Sequence, residues 1–468
     1  MVQVDQSEET YSTQVAAYFT EYIDCFKVYR NNVSDQALKY MYGLLESEKG
    51  QANLERMEEN QETMPYHQYH HFLSNSPWSA QEVKKKVSQD SSALMSIQQE
   101  QSGKPTGLLI DESSHLKKGK HSVGVARQYA GVIGKVDNCQ VGVYASLCNG
   151  KHSTLIDEAL FLPTEWTEDK ERCLKAGIPQ EAITHKTKPE LALNLIDTAL
   201  SNGVEFDWVG GDGLYGHNSE LRKGLDNRDL LYVLDIHKDQ KIYREEPIIY
   251  FPKKKAGPGR PPIHYKTDAT AIKIETYVQG LEEAVWEKCK IRQTTKGWLY
   301  ALIHCQTVWI WDGIEQQARK FTIIVRKTLN NQGEPIDVKY SLSNGSLNDY
   351  TVTEFAYFQA QRYWIERNFD DGKNELGLSD YQVRKWNAWH HHQAIVMMAM
   401  LFMLKEQIEQ QGKYPLTSLK DTRKMVVALI IQSLEPPQKA AVREVKKREK
   451  RHLKRKKAID WFYQKQKF

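Results

Sequence analysis

Three acidic residues stand out by what surrounds them. Asp111 ends the apolar run 107–110, Asp212 follows two glycines after a second apolar run at 206–209, and Glu366 sits within an amphipathic stretch, 353–374. Transfer or hydrolysis of a phosphodiester requires that a nucleophilic oxygen be activated, a leaving oxygen be stabilised and backbone charge be offset. Two divalent ions about 3.5–4 Å apart supply all three, and magnesium takes hard oxygen ligands, so carboxylates have to converge. Ligands of open sheets gather at strand ends, which puts Asp111 and Asp212 at one sheet edge. Gly210, Gly211 and Gly213 admit close approach of backbone to a bulky ligand such as DNA. Along 353–374, Gln359, Arg362, Glu366, Asp370 and Lys373 recur at three and four residues as one polar stripe, opposite Phe355, Phe358, Ile365 and Phe369. A carboxylate flanked by Arg362 and Lys373 can bind metal while the cations hold phosphates. On periodicity alone, ion pairs on a helix surface are the plainer reading of that stripe.

The elements that must position these groups follow from hydrophobic period. The first hundred residues read as helical, over 11–29, 35–45 and 51–60, with no strand signal. Short β-rich runs come next, at 107–110, 140–148 and 154–162, then a helix at 188–201, a strand at 206–209, a helix at 219–225 and a strand at 230–236. That order suits a mixed sheet with helices on its faces. Lys, Gly and Pro crowd 253–262, which reads as a flexible basic linker. Strand signals without helical period follow at 288–293, 298–304, 307–311, 321–326 and 338–342, the pattern of an all-β insertion. Helices at 353–374 and 389–411 resume the α/β part.

Arg362 followed after three residues by Glu366, and after six more by Lys373, resembles the signature around the catalytic glutamate of DDE-type bacterial insertion-sequence transposases that carry a β-insertion before that residue. Leu109-Ile110-Asp111-Glu112-Ser113 with Lys117, Lys118 and Lys120, then Val125-Ala126-Arg127-Gln128-Tyr129, is similar to the family's first-aspartate region. Gly211-Asp212-Gly213-Leu214-Tyr215-Gly216 is similar to its second. The three motifs span 105–405 in the right order. Gln359 departs from the family pattern, which has Tyr there. Strand alternation sends Asp111 and Glu112 to opposite faces, so only one serves, and the resemblance selects Asp111.

The resemblance implies a multidomain α+β protein. It would have a helical N-terminal domain for DNA end recognition (1–100), a ribonuclease H-like α/β catalytic core (101–240 and 351–412), a basic linker and all-β insertion interrupting it (241–350), and a helical basic C-terminal region (413–468) for DNA binding or dimer contacts. It also implies a cut-and-paste transposase that binds terminal inverted repeats, pairs two ends as a homodimer, cuts them and joins the 3′ ends to target DNA. Asp111, Asp212 and Glu366 would hold two Mg2+ ions, with Mn2+ as a substitute, and Arg362, Lys373, Lys117, Lys118, Lys120 and Arg127 would contact phosphates. Family members with such an insertion cut the second strand through a hairpin, an aromatic side chain holding a flipped base. Trp298, at a strand start beside Lys296 and Gly297, is the first candidate, and Trp309 and Trp311 alternate onto one face of the next run. Filling the insertion's own core is the alternative for each indole. A ribonuclease H-like nuclease that cuts without joining, or a catalytically silent DNA-binding relic, are the rival readings.

Bulk properties fit a soluble protein of the reducing cytosol, and the resemblance implies a bacterial, nucleoid-associated one. The six cysteines form no CxxC or Cys/His cluster, which argues against a zinc ribbon or a disulfide framework. The longest apolar run, 394–404, falls well short of the roughly 18 residues of a membrane span. The net charge of +4 hides an asymmetry: residues 1–100 carry −7 and residues 439–468 carry +10, which marks the tail as the polyanion-binding element. His390, His391 and His392 open an apolar helix, where consecutive side chains do not share a face, so a three-His metal site is geometrically poor.

Overall fold

A computed structural model describes residues 17–29, 31–60, 64–253, 262–294, 297–330, 332–412, 418–434, 452–453 and 456–457. The basic linker, apart from its ends, and nearly all of the basic tail lie outside the described residues. Four helices dominate the first hundred residues: α1 (Ser34–Glu46), α2 (Leu54–Asn60), α3 (Tyr66–Ser74) and α4 (Ala80–Ser102). The helix expected over 11–29 does not reach its end. From Lys27 the chain is extended and pairs Lys27–Val28 with Asn31–Asn32, turning at Tyr29 with φ 53°. The sequence reading passed over α4 because its buried side is largely polar, with Lys84, Ser88, Ser91 and Ser92 among the buried residues.

Ten strands form one sheet: β1 (Gly107–Leu116), β2 (Ala126–Ala130), β3 (Lys135–Asn149), β4 (His152–Leu160), β5 (Trp208–Gly211), β6 (Tyr232–Ile236), β7 (Glu287–Thr294), β8 (Gly297–Ile310), β9 (Arg319–Leu329) and β10 (Pro335–Ser343). The spatial order is β7-β8-β9-β10-β6-β5-β1-β3-β2, with β4 also paired to β3. β1, β5 and β6 run parallel, and the other pairs are antiparallel. Strands β7 to β10 extend this sheet through four register pairs, Tyr340↔Ile236 to Ser343↔Val233. The two strands expected at 298–304 and 307–311 are one. Cys305 and Gln306 look like a break, yet pair with Ile324 and Ile323 in an unbroken ladder. The segment expected to be all-β also contains the helix Ile274–Gln279.

Side-chain alternation divides the core into two layers. Leu109 joins the layer that holds α1, α3, α4 and the helix α9 (Trp386–Glu409), whereas Leu108 and Ile110 join the layer of α5 (Lys188–Ser201) and α6 (Ser219–Asp226). α5 starts at a capping box in which Thr187 and Glu190 satisfy each other's backbone N–H, with Pro189 in the first turn. α9 is buried along most of its length, so it packs on several helices and on β4. The single helix expected over 353–374 is two, α7 (Val352–Gln361) and α8 (Tyr363–Glu375), meeting at Arg362. A further helix, α10 (Leu419–Leu434), packs on α8 and α9.

Candidate active site

The parallel ladder fixes the site. Its last register pairs are Ile110↔Gly211 and Gly211↔Leu234, so Asp111, Asp212 and Asp235 are the next residues along three adjacent strands. Asp111 is not at the end of its strand, as the apolar run suggested. β1 continues to Leu116 because its other edge stays paired with β3, Asp111 opposite Tyr144. Beyond Ile110, however, the flank that faced β5 is open. Asp212 leaves its strand to cap the helical turn Gly213–Gly216, accepting the Leu214 N–H at 2.9 Å.

Oxygens of Asp111, Glu112 and Asp212 lie within 4.8 Å of one another. The sequence argument that only one of Asp111 and Glu112 can face the site therefore needs correction. Glu112 does belong to the α5 side, where it accepts from Lys188 Nζ at 2.7 Å and from the Tyr215 hydroxyl at 3.0 Å. Its carboxylate nevertheless reaches the same open flank as that of Asp111. The glycines also act otherwise than expected. A Cβ on Gly210 would meet the Leu109 and Trp208 side chains at 2.7 Å, so this glycine makes room for the core rather than for a ligand.

Arg362 joins the carboxylates of Asp111 and Asp235 to the helix. Its Nε lies 2.8 Å from Asp235 Oδ2, one Nη 2.6 Å from Glu366 Oε1 and the other 3.7 Å from Asp111 Oδ2. The break between α7 and α8 sits where this guanidinium turns to the sheet. Glu366 is half-exposed and so faces the opening, while Asp111 is largely buried. Burial pushes the Asp111 carboxyl well above the usual carboxylate range, and repulsion from Asp212 adds to this against the pull of Arg362. Burial and the charge on Glu112 raise Asp212 as well. Such a crowd of hard oxygens, short of compensating charge, is a donor set that suits divalent cations. Lys373 is held at about 8 by burial, which outweighs the attraction of Asp370 and Asp111.

The other predicted residues are placed as follows. Lys117 is held by Tyr381, donating to its carbonyl at 2.9 Å with the ammonium 3.4 Å from the ring centre, and burial lowers it to about 7. Lys118, Lys120 and Arg127 are exposed. Gln359 is buried and donates to Ser341 Oγ at 2.7 Å, so it leaves the polar stripe. Trp298 is 46% exposed, with Lys290 Nζ 3.8 Å from its ring centre. Trp309 lies on the same strand at odd spacing, hence on its opposite face. Trp311 lies beyond the strand end, donating to the Glu315 carbonyl at 2.8 Å. His390, His391 and His392 turn to three partner sets: Glu158, the Leu73 and Trp78 carbonyls, and Tyr40 with the Gly377 carbonyl.

Asp235 escaped the sequence reading. Its signal was present, since it is the only acid in the apolar run 230–236, as Asp111 is after 107–110. It accepts from the Ser341 hydroxyl at 2.6 Å, across the register pair that joins β6 to β10.

Residues 21–298 match the sequence model of the DDE superfamily endonucleases, a span that includes Asp111 and Asp212 and stops short of Glu366. The chain is also similar to a probable transposase for insertion sequence element IS701 from Microchaete diplosiphon, at 28% identity over 315 residues, covering 67% of this chain and 68% of that one. Among the described residues no helix is long and apolar enough to cross a membrane.

Proposed function

Because the chain belongs to the DDE superfamily of endonucleases, a match that spans more than half of it, we propose that it is a cut-and-paste DNA transposase. It binds the terminal inverted repeats of its own element, pairs two ends as a homodimer, cleaves them and joins the freed 3′ ends to target DNA, in the bacterial cytoplasm at the nucleoid. The domain division given above, with its interrupted catalytic core and basic tail, belongs to this proposal. The observation that carries it is the convergence of Asp111 and Asp212 where the parallel pairing of β1 and β5 stops, facing the arginine that also holds Glu366. The similarity to a probable insertion-sequence transposase supports the transfer step over cleavage alone.

In this reading Asp111, Asp212 and Glu366 hold two Mg2+ ions, which would activate the attacking oxygen and stabilise the leaving one. Glu112 is close enough to be a further ligand. Arg362 is held by Asp235 and Glu366 at hydrogen-bond distance and faces Asp111 at 3.7 Å. With Asp111 and Glu366 holding metal, it would keep Asp235 and offer two N–H edges to a phosphate, a planar donor that suits bidentate anion contact. Lys373 lends a cation beside Asp111, and Lys117, Lys118, Lys120 and Arg127 extend the phosphate-contact surface. Trp298 is the stacking platform of a hairpin step. It lines a cavity of about 340 Å³ together with Arg292, Trp364 and the buried Gln361, whose Oε1 has no partner among the described residues.

The test is incubation of the full chain with a labelled duplex carrying the inverted repeats that flank its gene, in magnesium and in EDTA. Metal-dependent cleavage at the repeat boundary, with the 3′ end joined to a second duplex, is the expected result. Cleavage without joining would favour the nuclease reading, and binding without cleavage the silent relic.

A further inference from the structure

Two adjoining clefts lie away from the acidic cluster, of about 940 Å³ and about 510 Å³. The loop after β1 and the segment 380–385 line the first together with α3, and His121, Arg384 and Lys385 are common to both. Their walls are fixed to one another through the backbone: Val123 N–H donates to the Arg384 carbonyl and Trp386 N–H to the Ala176 carbonyl, both at 2.9 Å. Arg172 stacks on Trp166 at 3.8 Å and donates to the Lys120 carbonyl. The groove is therefore preformed.

Its charges are unequally used. Asp380 turns inward to accept the Ala52 N–H at 3.1 Å, Asp169 caps the helix Lys170–Lys175, and Glu171 pairs with Lys175 at 2.9 Å. Lys118, Lys120, Arg384 and Lys385 are exposed, and none of the four forms an ion pair among the described residues. Among the described residues the groove thus offers four cations without an acidic partner, Lys385 donating to Asn75 Oδ1 at 3.4 Å, while Asp380, Asp169 and Glu171 are each engaged. Arg384 and Lys385 lie outside every motif of the sequence reading.

The groove also lines up with the acidic cluster. Alternation along β1 puts Asp111, Ser113, His115 and Lys117 on one face, and His115 and Lys117 both reach Tyr381 on that face. Five residues of strand separate Asp111 from Leu116, where β1 ends, roughly 17 Å or about five base pairs of duplex, and Lys118 follows two residues further on, which brings the span to about five to seven base pairs.

Resting on the transposase reading, we propose that this groove carries the phosphate backbone of duplex DNA about five to seven base pairs from the scissile phosphate. Lys118, Lys120, Arg384 and Lys385 are its contacts. Such contacts set position and register along the duplex rather than sequence.

The test compares the full chain with the triple variant Lys118→Ala, Arg384→Ala, Lys385→Ala. A fluorescent duplex from the DNA flanking the gene is titrated in EDTA over a range of NaCl concentrations. Each lost phosphate contact removes about 0.9 from the slope of log affinity against log salt, so the slope should flatten by about 2.7. The charge-conserving variant Lys118→Arg, Arg384→Lys, Lys385→Arg should restore it, which a folding defect in the alanine variant would not explain. Hydroxyl-radical footprints should lose protection about five to seven base pairs from the cleavage point. An unchanged slope in a triple variant that melts like the unmutated chain overturns the groove and leaves the transposase reading standing. Failure of the unmutated chain to bind duplex DNA overturns both.

Discussion

Replacing Asp111 by Asn should make the metal-free protein more stable while abolishing its response to divalent metal. Oxygens of Asp111, Glu112 and Asp212 lie within 4.8 Å of one another. Two full charges at that spacing repel by roughly 3 kcal/mol at an effective dielectric of about 20, and by about 1 kcal/mol in water. Arg362, 3.7 Å from Asp111, offsets part of this, yet burial and repulsion still hold the Asp111 carboxyl well above the usual range. A carboxyl raised in this way contributes stability below its unfolded pKa and loses it as pH rises through the folded one, so near neutral pH the charge is a penalty borne by the folded chain alone. Asn keeps the shape without the charge, and Arg362 keeps Asp235 and Glu366. A gain of about 1–2 kcal/mol is expected, the scale of other charge-relieving substitutions. Metal reverses the order, because an ion at 100 times its Kd stabilises the unmutated chain by about 2.7 kcal/mol and the variant by much less. The assay is thermal melting of both proteins in EDTA and in excess magnesium. The reasoning is refuted if the variant melts below the unmutated chain in EDTA, or if magnesium raises both equally.

Glu112→Gln and Glu366→Gln distinguish the two candidates for the third metal ligand. Loss of strand cleavage with duplex binding retained is expected for Glu366→Gln, and a partial loss recoverable at higher magnesium for Glu112→Gln; the opposite pattern would transfer the role to Glu112. Trp298→Ala should lose a hairpin product on a denaturing gel while first-strand nicking persists, since an aromatic face returns about 1–3 kcal/mol per stacked base; absence of any hairpin from the unmutated enzyme would remove the basis for that role. Glu406 is buried on α9, and burial together with Glu409 pushes it up to about 7. Its stabilising contribution is full below the ordinary carboxylate range and is lost as pH rises through about 7, so melting temperature should fall between about pH 4.5 and pH 7. Glu406→Gln should abolish that fall, and parallel pH profiles for the two proteins would show the charge to be solvated.

The parts of the site that follow from local pattern were legible in the sequence. A run of apolar residues ending in an acid is why Asp111 and Asp212 could be named, although β1 runs on past Asp111, and the three-and-four stripe placed Glu366 on helix, although the helix breaks at Arg362. What long-range pairing decides was hidden. β1 continues through Glu112, Ser113 and Ser114 because β3 supplies partners, and nothing in that polar run says so. The union of two expected strands into β8 has the same cause. Asp235 had the right local signal, but its role depends on Arg362, 127 positions away in the chain. Side-chain length defeated the argument about Glu112, since alternation constrains Cβ directions and not where a flexible carboxylate ends. α4 was passed over because small polar residues can be buried against other helices.

The four register pairs between β6 and β10 bear on how such a chain can be shortened. Without β7 to β10, the side of β6 now satisfied by Tyr340 to Ser343 would become a bare row of backbone donors and acceptors on the apolar strand Tyr232–Ile236. Unprotected edges of this kind template intermolecular pairing. A trimmed version lacking these strands should therefore precipitate or self-associate before its chemistry can be assayed, unless a Lys or Pro is built into β6 or another segment is supplied to cover it. A shorter natural chain built on the same strands would have to shield that side of β6 in some other way.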